Sequence, residues 1–176
     1  MQFTNNIIDS VLETYIVQLG KDHERYRNHV YRVFSNCLLL DKDKHNEDKY
    51  AIAAVYHDIG IWTNHTFDYL DPSIDQASQY LNTTNQRQLT EEIAQMIYWH
   101  HKITAYKGNY MNTVETFRKA DWIDVSLGLL SFGINKQQLR QSRQQLPNRG
   151  FHWFLLKQTA NNFLKHPLNP IPVFKK

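Results

Sequence analysis

The sequence has one cysteine, no apolar run long enough to cross a bilayer, no large excess of charge and no internal repeat. Each absence excludes something. A single thiol rules out an intrachain disulfide, and the place of Cys37 in the apolar run Cys37-Leu38-Leu39-Leu40 marks it as a buried structural thiol rather than a nucleophile. Apolar stretches fall short of the ~18 residues that a membrane-spanning helix needs. Met1-Gln2-Phe3-Thr4-Asn5-Asn6 lacks the basic start and continuous apolar core of a secretion signal, so a cytoplasmic location and no membrane partner are expected. The 20 Lys and Arg against 17 Asp and Glu leave a formal charge of +3, with basic residues interspersed among acids. That gives no case for a nucleic-acid polymer as partner, whereas a small anionic substrate would need only local cations. No linker or low-complexity tract divides the 176 residues, which read as one domain, 1–176, able to bury a substantial core.

What is present is helical periodicity. Ile7, Ile8, Val11, Leu12, Tyr15, Ile16 and Leu19 form one stripe, ended by Gly20. Tyr26, His29, Val30, Val33, Phe34, Cys37 and Leu38 form a second, with His29 on its apolar face. After a polar connection from Asp41 to Lys49, where His45 is expected to be exposed, Tyr50, Ala51, Ala54 and Val55 lead into His57-Asp58-Ile59-Gly60. Gly60 is expected to end that helix, with His57 and Asp58 in its last turn. The aromatic-rich segment from Ile61 to Pro72 has no sustained period and is expected to cover a site, with His65 a surface group. Ser73 with Gln76, Thr90, Asn112 with Glu115, and Asn135 with Gln138 are expected caps of four further helices, the last closed by Pro147. A final amphipathic helix starts at Phe151 with its aromatics read as core, and the proline-rich tail 167–172 is expected to be extended. Without convincing alternating strands, the fold class is all-α with about seven helices.

Several polar positions on or beside these apolar faces are candidates to carry chemistry. Imidazole and carboxylate side by side, as in His57-Asp58, can converge on one ion off a helix end. Asp121 falls on an otherwise apolar face with Val114, Phe117 and Val125, where an unpaired carboxylate is costly and a cation is called for; Asp124, one turn on, is the fallback. His100 lies on the buried face of its helix, with His101 beside it. Arg25 and Arg32 lie about a turn either side of His29, within reach of a bound phosphate if they point the same way.

The order His29, then His57-Asp58, then a distant Asp121 on Arg118-Lys119-Ala120-Asp121-Trp122 resembles the HD-domain metal-dependent phosphohydrolase superfamily. The likeness runs from about His29 to Asp121. It implies a single HD-type helical bundle with a metal-site core over about 25–126 and C-terminal helices and tail over 135–176. It implies His29, His57, Asp58 and Asp121 as ligands of one divalent ion (Mn, Fe, Co, Ni, Mg or Zn). Relatives with two ions carry another histidine on the helix after Pro72; here Asp75 is the nearest candidate, so no second ion is expected. The implied activity is hydrolysis of a phosphomonoester or phosphodiester, of nucleotide type, by metal-activated water. Asp58 and His100 would act as catalytic groups, with Arg25, Arg32, His101, Lys102 and Arg118 at the substrate. Relatives also suggest zinc-dependent hydration of small nitriles, a nucleotide sensor without turnover, or a di-iron oxygenase, the last needing a second ligand set not found between Gly60 and Trp99. Nothing opposes a homodimer.

Overall fold

A computed structural model describes residues 4–66 and 68–165, and among these the chain is helical with no strand. Ten helices follow in order: α1 (Asn6–Thr14), α2 (Ile16–Leu19), α3 (His23–Leu40), α4 (Glu47–Tyr56), α5 (Gly60–Thr63), α6 (Leu70–Thr83), α7 (Thr90–Trp99), α8 (Met111–Val125), α9 (Lys136–Gln145) and α10 (Phe151–Lys165). Two of them, α2 and α5, are single turns of four residues, which leaves eight longer helices against the seven expected.

The long α3 is the spine. It packs against α8, α4 and α1 and receives α9 and α10 on its flank. Behind it, every residue of α4 from Tyr50 to Tyr56 is buried, so this helix has no solvent stripe and its weak amphipathic period follows from its central place. One hydrophobic core joins Ile8 of α1, Val30 of α3, Ile52 of α4, Leu81 of α6, Ile97 of α7, Phe117 of α8 and Phe151 of α10. Full burial of each such side chain stabilises the fold by roughly 1.5–3 kcal/mol relative to exposure. Cys37 is buried, as expected.

Several helix ends differ from expectation. Gly60 does not end a helix: the chain turns at His57 and resumes at α5, and Gly60 is needed because a Cβ there would lie 2.6 Å from the carbonyl oxygen of Tyr69. Helix α6 begins at Leu70, with Pro72 tolerated in its first turn. Ser73 is therefore not a cap; it is buried, and its Oγ accepts the Gly60 N–H at 3.0 Å, locking α5 onto α6. Thr90 and Asn112 also make no cap bond, whereas Asn135 does, accepting the Gln137 N–H at 2.7 Å. The stripe on α10 is partly inverted: Phe151 is buried, but Trp153, Leu156 and Leu164 are exposed while Gln158 and Thr159 are half-buried. The tail 167–172 lies outside the described residues.

A candidate metal centre

Three separate segments each deliver histidine to one buried point. His29 comes from the middle of α3, His57 and Asp58 from the turn that follows α4, and His100 and His101 from the turn that follows α7. Asp121 arrives from α8, one turn before Asp124. All except His101 are almost fully buried, and its side chain is 18% exposed.

The three buried imidazoles are held alike. His57 Nδ1 bonds the Ala54 carbonyl at 2.8 Å and His100 Nδ1 bonds the Ile97 carbonyl at 2.5 Å, each reaching back three residues along its own turn. His29 Nδ1 bonds Asp124 Oδ2 at 2.7 Å. With Nδ1 committed as donor, the neutral ring presents the Nε2 lone pair, the tautomer of a metal-ligating histidine. His29 Nε2 and His57 Nε2 lie 2.9 Å apart. Asp58 Oδ2 is 3.6 and 3.4 Å from those two nitrogens, and Asp121 Oδ1 is 3.8 Å from both. Donors about 2.1 Å from one ion are separated by roughly 3.0 Å in adjacent octahedral positions and roughly 3.4 Å in tetrahedral ones. His29, His57 and Asp58 fit a cation with modest closure around it, and Asp121 stands at the edge of that group.

Unmet polarity points the same way. Asp58 Oδ1, His100 Nε2 and Asp121 Oδ1 are buried and make no hydrogen bond. Orphaned groups of this kind are costly unless an ion or water completes them. Among the described residues, two groups of three donors have ligand atoms mutually within 4.8 Å: His29, His57 and Asp58, and Asp58, His100 and His101. The single-ion expectation rested on α6, where Asp75 proves to be exposed. The turn after α7 places His100 and His101 beside Asp58, which is common to both groups.

Electrostatics describe what the centre does without a cation. Burial alone would lower His29, yet hydrogen bonds and charge from Asp124 and Asp58 outweigh it and raise the ring to about 9. His57 is lowered to about 3, chiefly by burial. Their close Nε2 atoms thus share one hydrogen, and a metal ion would displace it. Burial lifts Asp121 to about 7. Burial opposes ionisation of Asp58 too, but the surrounding His57, His100 and His29 prevail and hold it well below the ordinary carboxylate range.

The cations expected at the substrate are employed elsewhere. Arg32 is buried and grips Asp124 through Nε at 2.6 Å and Nη2 at 2.9 Å, with Nη1 on the Leu146 carbonyl at 3.0 Å. Arg118 forks onto Glu115 at 2.7 and 2.8 Å and pins the Lys102 carbonyl at 3.2 Å, steadying the His100-His101 turn. Arg25 pairs with Asp22 and lies over the Phe154 ring at 4.8 Å, and Lys102 Nζ sits 5.1 Å from the Tyr98 ring. His101 does belong to the centre: Nε2 bonds the Tyr69 hydroxyl at 2.5 Å, and Nδ1 is 3.7 Å from Asp121 Oδ2. His65 is exposed.

Two residues of this cluster differ from expectation. Asp124, the fallback ligand, lies on the far side of the His29 ring and orients it; its spacing from Asp121 and the Arg32 one turn beyond His29 were the only sequence signals. Tyr69, buried in the covering segment, carried no signal beyond being aromatic. Comparison with family models, curated proteins and solved structures returned no match.

Proposed function

We propose that this chain is a metal-dependent phosphohydrolase of the HD type that cleaves a phosphomonoester or phosphodiester of a small, nucleotide-like substrate. One observation carries the reading: His29, His57 and His100 each commit Nδ1 to a fixed partner, and while His29 and His57 turn Nε2 toward both Asp58 and Asp121, His100 turns its Nε2 toward Asp58. His29, His57, Asp58 and Asp121 would hold one divalent ion, and Asp58, His100 and His101 a second. A divalent ion there supplies Lewis acidity and a water nucleophile at neutral pH.

The protein's own groups do the rest. Asp58 joins the two donor groups, with Oδ2 facing His29 and His57 and Oδ1 3.5 Å from His100 Nε2, and from that junction it would orient the attacking water. His100 and His101 flank the substrate oxygen, and Tyr69 fixes the ring of His101 through its hydroxyl. The deep setting of these groups excludes bulk water and strengthens each interaction.

A second reading has one observation in its favour. Arg25, Arg32 and Arg118 are each paired with a carboxylate, which leaves the centre short of free cations for a phosphate dianion. Hydration of a small uncharged molecule such as a nitrile fits that environment. A panel of nucleotides, an aryl phosphate and small nitriles, assayed with added Mn, Co or Zn, decides between them. Phosphate release supports the first reading; turnover confined to nitriles replaces it with the second.

A further inference from the structure

We infer that Arg143 is a positioning residue for the metal centre, acting through Asp124 on His29; this rests on the metal reading above. Arg143 lies on α9, away from the four-ligand pattern, and supplies no donor to an ion. Its contacts lie one step behind the ligands.

The Asp124 carboxylate is saturated. Oδ1 accepts from Arg32 Nε at 2.6 Å and from Arg143 Nη2 at 3.2 Å, while Oδ2 accepts from His29 Nδ1 at 2.7 Å and from Arg32 Nη2 at 2.9 Å. Arg32 already pairs both carboxylate oxygens, and Arg143 adds contacts that Arg32 does not make. Its Nη2 also donates to the main-chain carbonyls of Asp124 at 2.9 Å and Ile123 at 3.3 Å. It thus grips Asp124 by main chain and side chain together, at the carbonyl-rich end of α8 where a cation is favoured.

The segment around Arg143 forms a buttress behind His29. His152 Nε2 reaches the Asp124 carbonyl at 3.0 Å, and Phe151 stacks on the His29 ring at 4.1 Å with 20° between planes. The carbonyls of Leu146 and Pro147 take Arg32 and Asn28 from α3. Without Arg143 the end of α8 that carries Asp124 loses this main-chain clamp; a shift of Asp124 would weaken its bond to the Nδ1 of His29, and the ring would lose the orientation that aims Nε2 at the ion. Through Arg143, docking of α9 is coupled to how well the centre holds its metal.

The test uses the full chain, with Mn and Co as probes. Dissociation constants are measured by competition with a chelator, well below the melting temperature, for wild type, Arg143→Met, Arg143→Lys and Val11→Ala. Val11 is buried on α1 and serves as a control for lost stability alone. Arg143→Met is expected to bind metal about 10- to 100-fold more weakly, with a changed visible spectrum of the Co form. Arg143→Lys should recover part of both, and Val11→Ala should bind as wild type does. Wild-type affinity and spectrum in Arg143→Met would overturn the inference, as would an equal loss in Val11→Ala. A wild type that binds neither metal overturns the metal reading itself, and this inference with it.

Discussion

Up to Asp124 the chain carries all 17 of its acidic residues and every donor of the candidate centre, whereas residues 125–176 contain no acid and eight Lys and Arg. The even mixing of charges expected along the chain therefore fails past α8. The two regions differ in packing as well. The first is organised around α3 and α4, whose interior faces are closed. The second exposes Leu127, Leu129, Trp153, Leu156 and Leu164, and its α10 turns more apolar surface outward than inward along its second half. Asp58, Asp121 and Asp124 concentrate negative charge in the interior of the first region, and that charge needs cations. One comes from Arg32 within the region and another from Arg143 in the second. The acid-free part thus serves as counter-charge and buttress for a centre to which it gives no donor.

The contrast can be broken most sharply at Arg32. Arg32→Met leaves Asp124 buried with its strongest partner gone, and a loss of about 3–5 kcal/mol is expected in urea denaturation. A loss below about 1 kcal/mol would show that Arg143 and His29 compensate by themselves. Next in size is Gly60→Ala in the same region, where the added methyl meets the Tyr69 carbonyl at 2.6 Å. About 1–3 kcal/mol should be lost, read as a fall in melting temperature of roughly 2–4 °C per kcal/mol.

The metal-free centre adds a pH dependence. His29 in the fold sits at about 9, above the ordinary value of 6.5. Its contribution is complete below pH 6.5 and is lost as pH rises through about 9. His57 at about 3 has finished titrating by then, whereas Asp121, lifted to about 7, adds a fall of the same sign that is complete by about pH 8, and the raised His100 adds another. Chelator-stripped protein should therefore melt progressively lower from pH 7 to 9, and His29→Gln should reduce that fall most above about pH 8. A wild-type profile already flat would remove the proton from between His29 and His57. The smallest effects belong to the second region: Trp153→Ser and Leu164→Ser should each stay within about 0.5 kcal/mol of wild type. A large loss by thermal melting would mean that the outward face of α10 is covered in solution.

Much of this was legible beforehand because it depends on local pattern. Stripes of three- and four-residue steps located the long helices, and the same stripes placed His29, Asp121 and His100 on interior faces, where the structure has them. What escaped depends on pairing across the chain. Arg32 and Arg118 look like phosphate ligands from spacing alone, since nothing local announces that Asp124 and Glu115 will take them. Asp124 resembles a spare ligand until its partner, 95 residues away at His29, is known. Ser73 has the form of a helix cap, yet the close approach of α5 at Gly60 gives its hydroxyl another use. The second cluster of potential donors, in the turn after α7, has no local signal either, since the approach of His100 and His101 to Asp58 is a matter of tertiary packing.

The account stands or falls on metal. Elemental analysis of wild type and Asp58→Ala, each loaded with Mn, Co or Zn and freed of excess, tests it most directly. One to two ions per chain are expected in wild type, with binding weakened more than about 100-fold in the variant, since the lost carboxylate is shared by both donor groups. Absence of bound metal from the wild type under every loading would contradict the account and leave His29, His57, Asp58 and Asp121 as a buried polar network that serves the fold alone.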